Sequence, residues 1–292
     1  MTNTFLLLPL LAGMGYAVAA ILLKRCLAAG IDPWAVIVWS NLGMALVFAP
    51  MLLGAETLPG WEHVGRAVVP GVAFFLGQIF TFFALSKGDA SVATPILSTK
   101  IILVALLTVI LLGEPLGARI WVAAILATGA VALIQRGRAG GHGKVWLSVV
   151  LGLTSATAFA LCDILIQRDA PRLDPFAFIP MVFAWVGLAS LMAVPWVGRR
   201  MLRVPRGTRG ILPLAVVILA VQCLAMAVAL GFFGRATEVN IVYSTRGIWT
   251  VVLVWCVGPW LGNWEREQGA AVMANRLAGS ALLLGAIFLV LV

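Results

Sequence analysis

The chain has 292 residues, 62% of them hydrophobic and 11% charged, with a formal net charge of +9. Soluble domains carry about 45–50% apolar and about 25% charged residues, so this composition excludes a soluble globular protein and points to an integral membrane protein. The positive charge would suggest nucleic-acid binding in a soluble chain. Here it sits mainly in short segments between apolar runs, where it reads as a topology and lipid-headgroup signal, and no nucleic-acid partner is expected.

A membrane-crossing helix needs about 20 mainly apolar residues. Ten such runs occur, near 4–23, 34–53, 67–86, 91–112, 118–135, 145–167, 176–197, 211–233, 239–261 and 277–292. They are continuous rather than alternating, so they predict helices and not barrel strands. The first run lacks a basic leader and a small-x-small cleavage site, and is expected to be a retained span. The predicted fold class is an all-α membrane protein of ten transmembrane helices, arranged as two inverted five-helix repeats. The expected units are residues 1–135, a basic glycine-rich linker at 136–144, and residues 145–292.

The repeat is visible in residues. Ile31-Asp32-Pro33-Trp34-Ala35 echoes Leu173-Asp174-Pro175-Phe176-Ala177 at the start of the second helix of each half. Asp followed by Pro is a helix N-cap with proline in the first position. Ser98-Thr99-Lys100 falls on Ser244-Thr245-Arg246, 146 residues later, with Gly88 on Gly234, Ala90 on Ala236 and Ser91 on Thr237. Five spans per half invert the second half relative to the first. Inverted repeats around a site near the bilayer midplane are a common transporter plan.

Setting aside Lys100 and Arg246, the odd-numbered loops carry Lys24, Arg25, Lys87, Arg136, Arg138, Lys144, Arg199, Arg200, Arg203, Arg206, Arg209, Arg266 and Arg276. The even-numbered loops carry only Arg66, Arg119, Arg168, Arg172 and Arg235. The positive-inside rule then places the odd loops in the cytoplasm and both termini outside.

Lys100 lies roughly 14 Å into its span at helical rise, where an ammonium needs water, a counter-ion or a substrate. Three roles are open to it: an interhelical ion pair, an anion-binding cation, or a proton-carrying site. Arg246 occupies the matched place and can grip a carboxylate or phosphate through two parallel bonds. Tyr243, Trp249 and Thr250 lie three before, three after and four after it, and would share its face on a continuous helix. Asp163 is the carboxylate well inside a predicted span. It reads as a proton acceptor, as a counter-ion to Lys100 or Arg246, or as a residue snorkelling to the membrane edge. The three in-span charges sum to +1, which favours a negative group on the substrate. Gln78 and Gln222, near the centres of spans three and eight, and Ser40 and Asn41 in span two, are candidates for substrate contact or interhelical bonding. Thr94-Pro95 would cap or kink helix four, and Asn240 would cap helix nine.

Cys26, Cys162, Cys223 and Cys256 are scattered, and the two histidines fall in predicted loops, so neither a disulfide framework nor a metal site is expected. No phosphate-binding loop, zinc-protease motif or nucleophile elbow occurs. The expected protein is not an enzyme and takes no cofactor.

Gly88-Asp89-Ala90-Ser91-Val92-Ala93-Thr94-Pro95 before helix four, and Leu112-Gly113-Glu114-Pro115-Leu116 after it, resemble the EamA type of the drug/metabolite transporter superfamily. The second half departs, with Gly262-Asn263-Trp264-Glu265 where Gly-Glu-Pro would stand. The resemblance implies a multi-pass inner-membrane exporter or exchanger working by alternating access through a central cavity, with amino acids, metabolites or drugs as substrates. It also implies kinship with sugar-phosphate exchangers that hold anions on helix lysines and arginines. The expected partners are therefore an anionic or zwitterionic small molecule and membrane lipid, with proton or substrate antiport as the coupling. The readings carried forward are a transporter of an organic anion around Lys100 and Arg246, an amino-acid or drug exporter in which these cations are structural, and a flippase for a phosphate-bearing lipid.

Overall fold

The computed structural model describes residues 3–56, 59–87, 90–135, 145–192, 194–198, 201, 203–257 and 270–292. The expected linker 136–144, Gly88-Asp89, Arg199-Arg200 and the Gly262–Glu265 segment lie outside these residues.

The helices in chain order are α1 (Leu7–Ala28), α2 (Pro33–Phe48), α3 (Trp61–Ser86), α4 (Ala90–Leu97), α5 (Lys100–Leu107), α6 (Ala118–Gln135), α7 (Val145–Asp169), α8 (Pro175–Leu191), the single turn α9 (Val194–Val197), α10 (Ile211–Phe233), α11 (Ala236–Tyr243), α12 (Arg246–Val257) and α13 (Ala270–Leu291). Seven stretches are long and apolar enough to cross a bilayer, and Ala118–Ile134 and Pro175–Leu191 are shorter apolar helices. The remaining crossing, the ninth in chain order, is α11 with α12. The described residues are thus an all-helical membrane fold of ten passes. The tenth pass begins at Ala270, earlier than the sequence suggests, so Arg276 is a buried helical residue and not a loop residue.

Asp32 and Asp174 each accept a hydrogen bond from the backbone N–H two residues on, at 2.9 Å, with proline in the first helical position of α2 and α8. Lipid offers no hydrophobic drive for helix pairing, so small residues and close backbone contact do that work. A Cβ on Gly279 would stand 2.7 Å from the Ala130 carbonyl oxygen, and one on Gly71 would stand 2.7 Å from that of Val182. Helices α1, α2 and α3 pack mainly on α10, α8 and α7, so the two halves interlock around the centre.

Passes four and nine are both interrupted, at Ser98-Thr99 and Ser244-Thr245. The sequence suggested continuous runs, and the hydroxyls explain the difference. A helix end leaves carbonyls without partners. Ser98 donates to the Pro95 carbonyl and Thr99 to that of Ile96, and Ser244 and Thr245 do the same to Ile241 and Val242. The shared Ser-Thr pair lets the chain break its helix inside the membrane and puts Lys100 and Arg246 first in the half-helices that follow.

Candidate functional site

Each crossing reverses direction, so the odd-numbered loops lie on one face and the even-numbered loops with both termini on the other. A cavity of about 470 Å³ is walled by α1, α2, α3, α7 and α10 and by the two helix breaks. At the odd-loop face it reaches Leu27 and Leu85, which are 40% and 43% exposed. At the terminal face it ends on Ile166, Leu230 and Phe183, all buried.

Beyond that end the two halves are bonded together. The Asp169 carboxylate takes two bonds from Arg168, at 2.8 and 2.9 Å, and lies 3.6 Å from Arg66. Gln167 donates to Glu114 at 3.1 Å and accepts from the Ala236 N–H at 2.7 Å. The Glu56 N–H donates to Asp174, and Phe5 stacks on Phe233. The cavity is therefore open on the odd-loop side and sealed on the other.

Lys100, Arg246, Tyr243, Gln78, Gln222 and Asp163 all line this cavity. Lys100 Nζ lies 2.7 Å from Asp163 Oδ2, and the two side chains are 18% and 12% exposed. The same oxygen accepts from Asn240 Nδ2 at 2.8 Å. Asp163 therefore faces inward and does not snorkel. Asn240 is no cap: it lies inside α11, and its amide spans Asp163 and the Ala236 carbonyl. The Lys100 ammonium also stands 5.8 Å from the ring of Phe159.

Arg246 is held differently. Its guanidinium lies 4.9 Å from the ring centres of both Tyr16 and Tyr243, the only tyrosines in the chain. Aromatic faces attract a cation electrostatically without neutralising it. Among the described residues no carboxylate pairs with Arg246. The Tyr243 hydroxyl donates to Gln222 Oε1 at 3.0 Å, fixing that ring.

Trp249 departs from the expectation. It does not line the cavity, and its Nε1 is buried without a hydrogen-bond partner. The turn at Ser244-Thr245 resets the helical phase, so Tyr243 and Trp249 belong to different helices. The Thr250 hydroxyl is spent on the Arg246 carbonyl at 2.7 Å. On the opposite wall Gln78 donates to Asn41, which donates to Ser190.

Tyr16 and Asn240 were not legible as site residues. An aromatic in a first span reads as interfacial, although the rarity of tyrosine was a usable signal. Asn240 was masked by its helix-start position.

Ten passes, paired helix breaks and a charged central cavity describe a multi-pass membrane protein. Residues 3–136, a little under half of the chain, match the model of the EamA-like transporter family, so the first five-helix half is similar to a family of membrane transporters. A solved crystal structure is similar over 99% of this chain and 97% of its own, at 15% identity and a TM-score of 0.72, a likeness of fold alone. No curated protein matches the sequence.

Proposed function

We propose that this chain is a secondary transporter, an exporter or exchanger, of a small organic solute with an anionic group. Its two five-helix halves, 1–135 and 145–292, rock around Lys100 and Arg246, and no catalytic chemistry is involved. The observation that carries the reading is the charge imbalance at the cavity. Asp163 neutralises Lys100, while Arg246 faces the cavity with two aromatic rings and no carboxylate among the described residues. An intramembrane cation costs about 2.5–3.5 kcal/mol on insertion scales, and a substrate carboxylate or phosphate would offset that cost.

In this reading Arg246 makes the bidentate contact and Lys100 lends a point charge steadied by Asp163, which serves as counter-ion. Tyr16 and Tyr243 wall the head group, and Gln78 and Gln222 meet the polar remainder. Positive-inside counting puts the open, odd-loop end in the cytoplasm and the bonded face outside, the arrangement of a carrier waiting to load an outbound solute. The bonds among Arg66, Asp169, Gln167 and Glu114 would then be the contacts broken when the outer side opens.

A thermal-shift screen of the purified chain against anionic, zwitterionic and cationic metabolites and soluble lipid headgroups tests the reading. A ligand at 100 times its Kd stabilises by about 2.7 kcal/mol in the one-site case. Stabilisation by organic anions supports the proposal. A response confined to cations or neutral solutes refutes it, and one confined to headgroups assigns the cavity to lipid.

A further inference from the structure

Beside the main cavity, between the two helix breaks, lies a second void of about 20 Å³. It shares Leu97, Lys100, Tyr243 and Arg246 with the large cavity and is otherwise closed by Ser98, Ser244, Asn240 and apolar side chains. A void needs about 10–15 Å³ in this measure to hold one water, so this alcove takes a single water-sized group.

The chemistry of its wall decides which group. The hydroxyls of Ser98 and Ser244 are committed to the carbonyls of Pro95 and Ile241. The Asn240 amide is committed to Asp163 and Ala236, and the Tyr243 hydroxyl to Gln222. Those hydroxyl oxygens and the Asn240 carbonyl oxygen can still accept, and beside them stand the spare donors of two cations, Lys100 and Arg246. Lys100 has three N–H bonds and Arg246 five, and of the two Asp163 meets Lys100 alone. A buried water needs two to four partners and uses acceptors as well as donors. A water would find its partners here but would leave Arg246 uncompensated, whereas a monatomic anion takes the spare donors and also offsets that charge.

We propose that a single halide, chloride at physiological composition, occupies this alcove when no organic substrate is bound, and that it neutralises Arg246. Lys100, Arg246, Asp163 and the halide then sum to zero. The charges at the two helix breaks are then balanced, and an arriving organic anion exchanges for the halide. The halide site depends on the alcove and on Arg246, not on the organic substrate proposed above.

The test is the melting temperature of the purified chain in detergent, titrated with sodium chloride or sodium bromide against sodium sulfate at constant ionic strength. Sulfate is too large for the alcove. The expected result is a saturable rise of several degrees with chloride and with bromide, absent in Arg246→Gln and retained in Arg209→Gln, whose charge lies in the loop before α10. If Arg246→Gln does not fold, Val131→Leu decides, because it fills the alcove wall and leaves every charge in place; it should also abolish the rise. A wild-type melting temperature independent of halide overturns the proposal, and so does a halide effect that survives in the folded alcove variant. Stabilisation by organic anions without a halide effect defeats the halide site alone. A halide effect without any organic-anion response leaves this site standing and defeats the substrate reading.

Discussion

Lys100 and Asp163 should behave as a coupled pair in stability measurements, not as two independent polar residues. They lie 2.7 Å apart and are largely buried, with the carboxylate also bonded to Asn240. Removing one member of such a pair leaves an uncompensated charge and costs about 3–5 kcal/mol. Lys100→Met strands Asp163 with one amide partner, and Asp163→Leu strands Lys100 beside the ring of Phe159. Each single variant should therefore lose about 3–5 kcal/mol. Lys100→Met with Asp163→Leu removes both charges, and replacing a buried pair by packed apolar residues is often neutral or stabilising. The double variant should recover most of the loss, leaving a coupling energy well above the few tenths expected of independent sites. Denaturant titration in a fixed mixed micelle, followed by tryptophan fluorescence, measures all four proteins on one scale. Single variants within about 0.5 kcal/mol of wild type, or losses that add in the double variant, would refute the pair as a structural unit.

Three further outcomes follow from the geometry. A Cβ on Gly13 would stand 2.9 Å from Thr245 Oγ1 and 3.1 Å from the Arg246 N–H nitrogen, so Gly13→Val should destabilise by about 1–3 kcal/mol and displace the second helix break; unchanged melting and ligand affinity would contradict that packing. Tyr243→Phe keeps the ring over Arg246 and loses the bond to Gln222, so it should cost about 0.5–1.5 kcal/mol with a smaller effect on anion affinity than Arg246→Lys, a ranking that binding titrations check. A cysteine at the C-terminus, in a background without native cysteines, should react with an impermeant reagent in intact cells; labelling only after lysis would reverse the orientation given by the loop charges.

Much of the fold was legible because its signals are local. Apolar runs mark spans whatever their neighbours, and Asp-Pro at 32–33 and 174–175 specifies a helix start within two residues. The Ser-Thr-Lys and Ser-Thr-Arg repeat was visible, but its structural use was not. Ser and Thr hydroxyls bond to preceding carbonyls in intact helices too, so the sequence permits the break at Ser98-Thr99 without forcing it. Trp249 was misplaced for the same reason, since helical spacing fails across a turn.

The site was readable where charge is scarce. With so few ionisable groups in the spans, Asp163 had Lys100 and Arg246 as candidate partners, and only the packing of α7 against α5 selects Lys100. Residues whose role depends on long-range packing gave no such signal: Tyr16 reaches Arg246 because α1 lies against α12.

The central claim is that Arg246 carries the substrate's anionic group across the membrane, and solute counterflow in proteoliposomes tests it most directly. Vesicles loaded with an organic anion that stabilises the purified protein should take up trace label of the same anion from outside through the wild-type chain. Arg246→Gln, reconstituted to the same level of folded protein, should lose this exchange. Arg246→Lys should retain a weakened form, because an ammonium keeps the charge without the bidentate geometry. Equal counterflow in wild type and folded Arg246→Gln would contradict the account and leave the arginine a structural cation between two tyrosines.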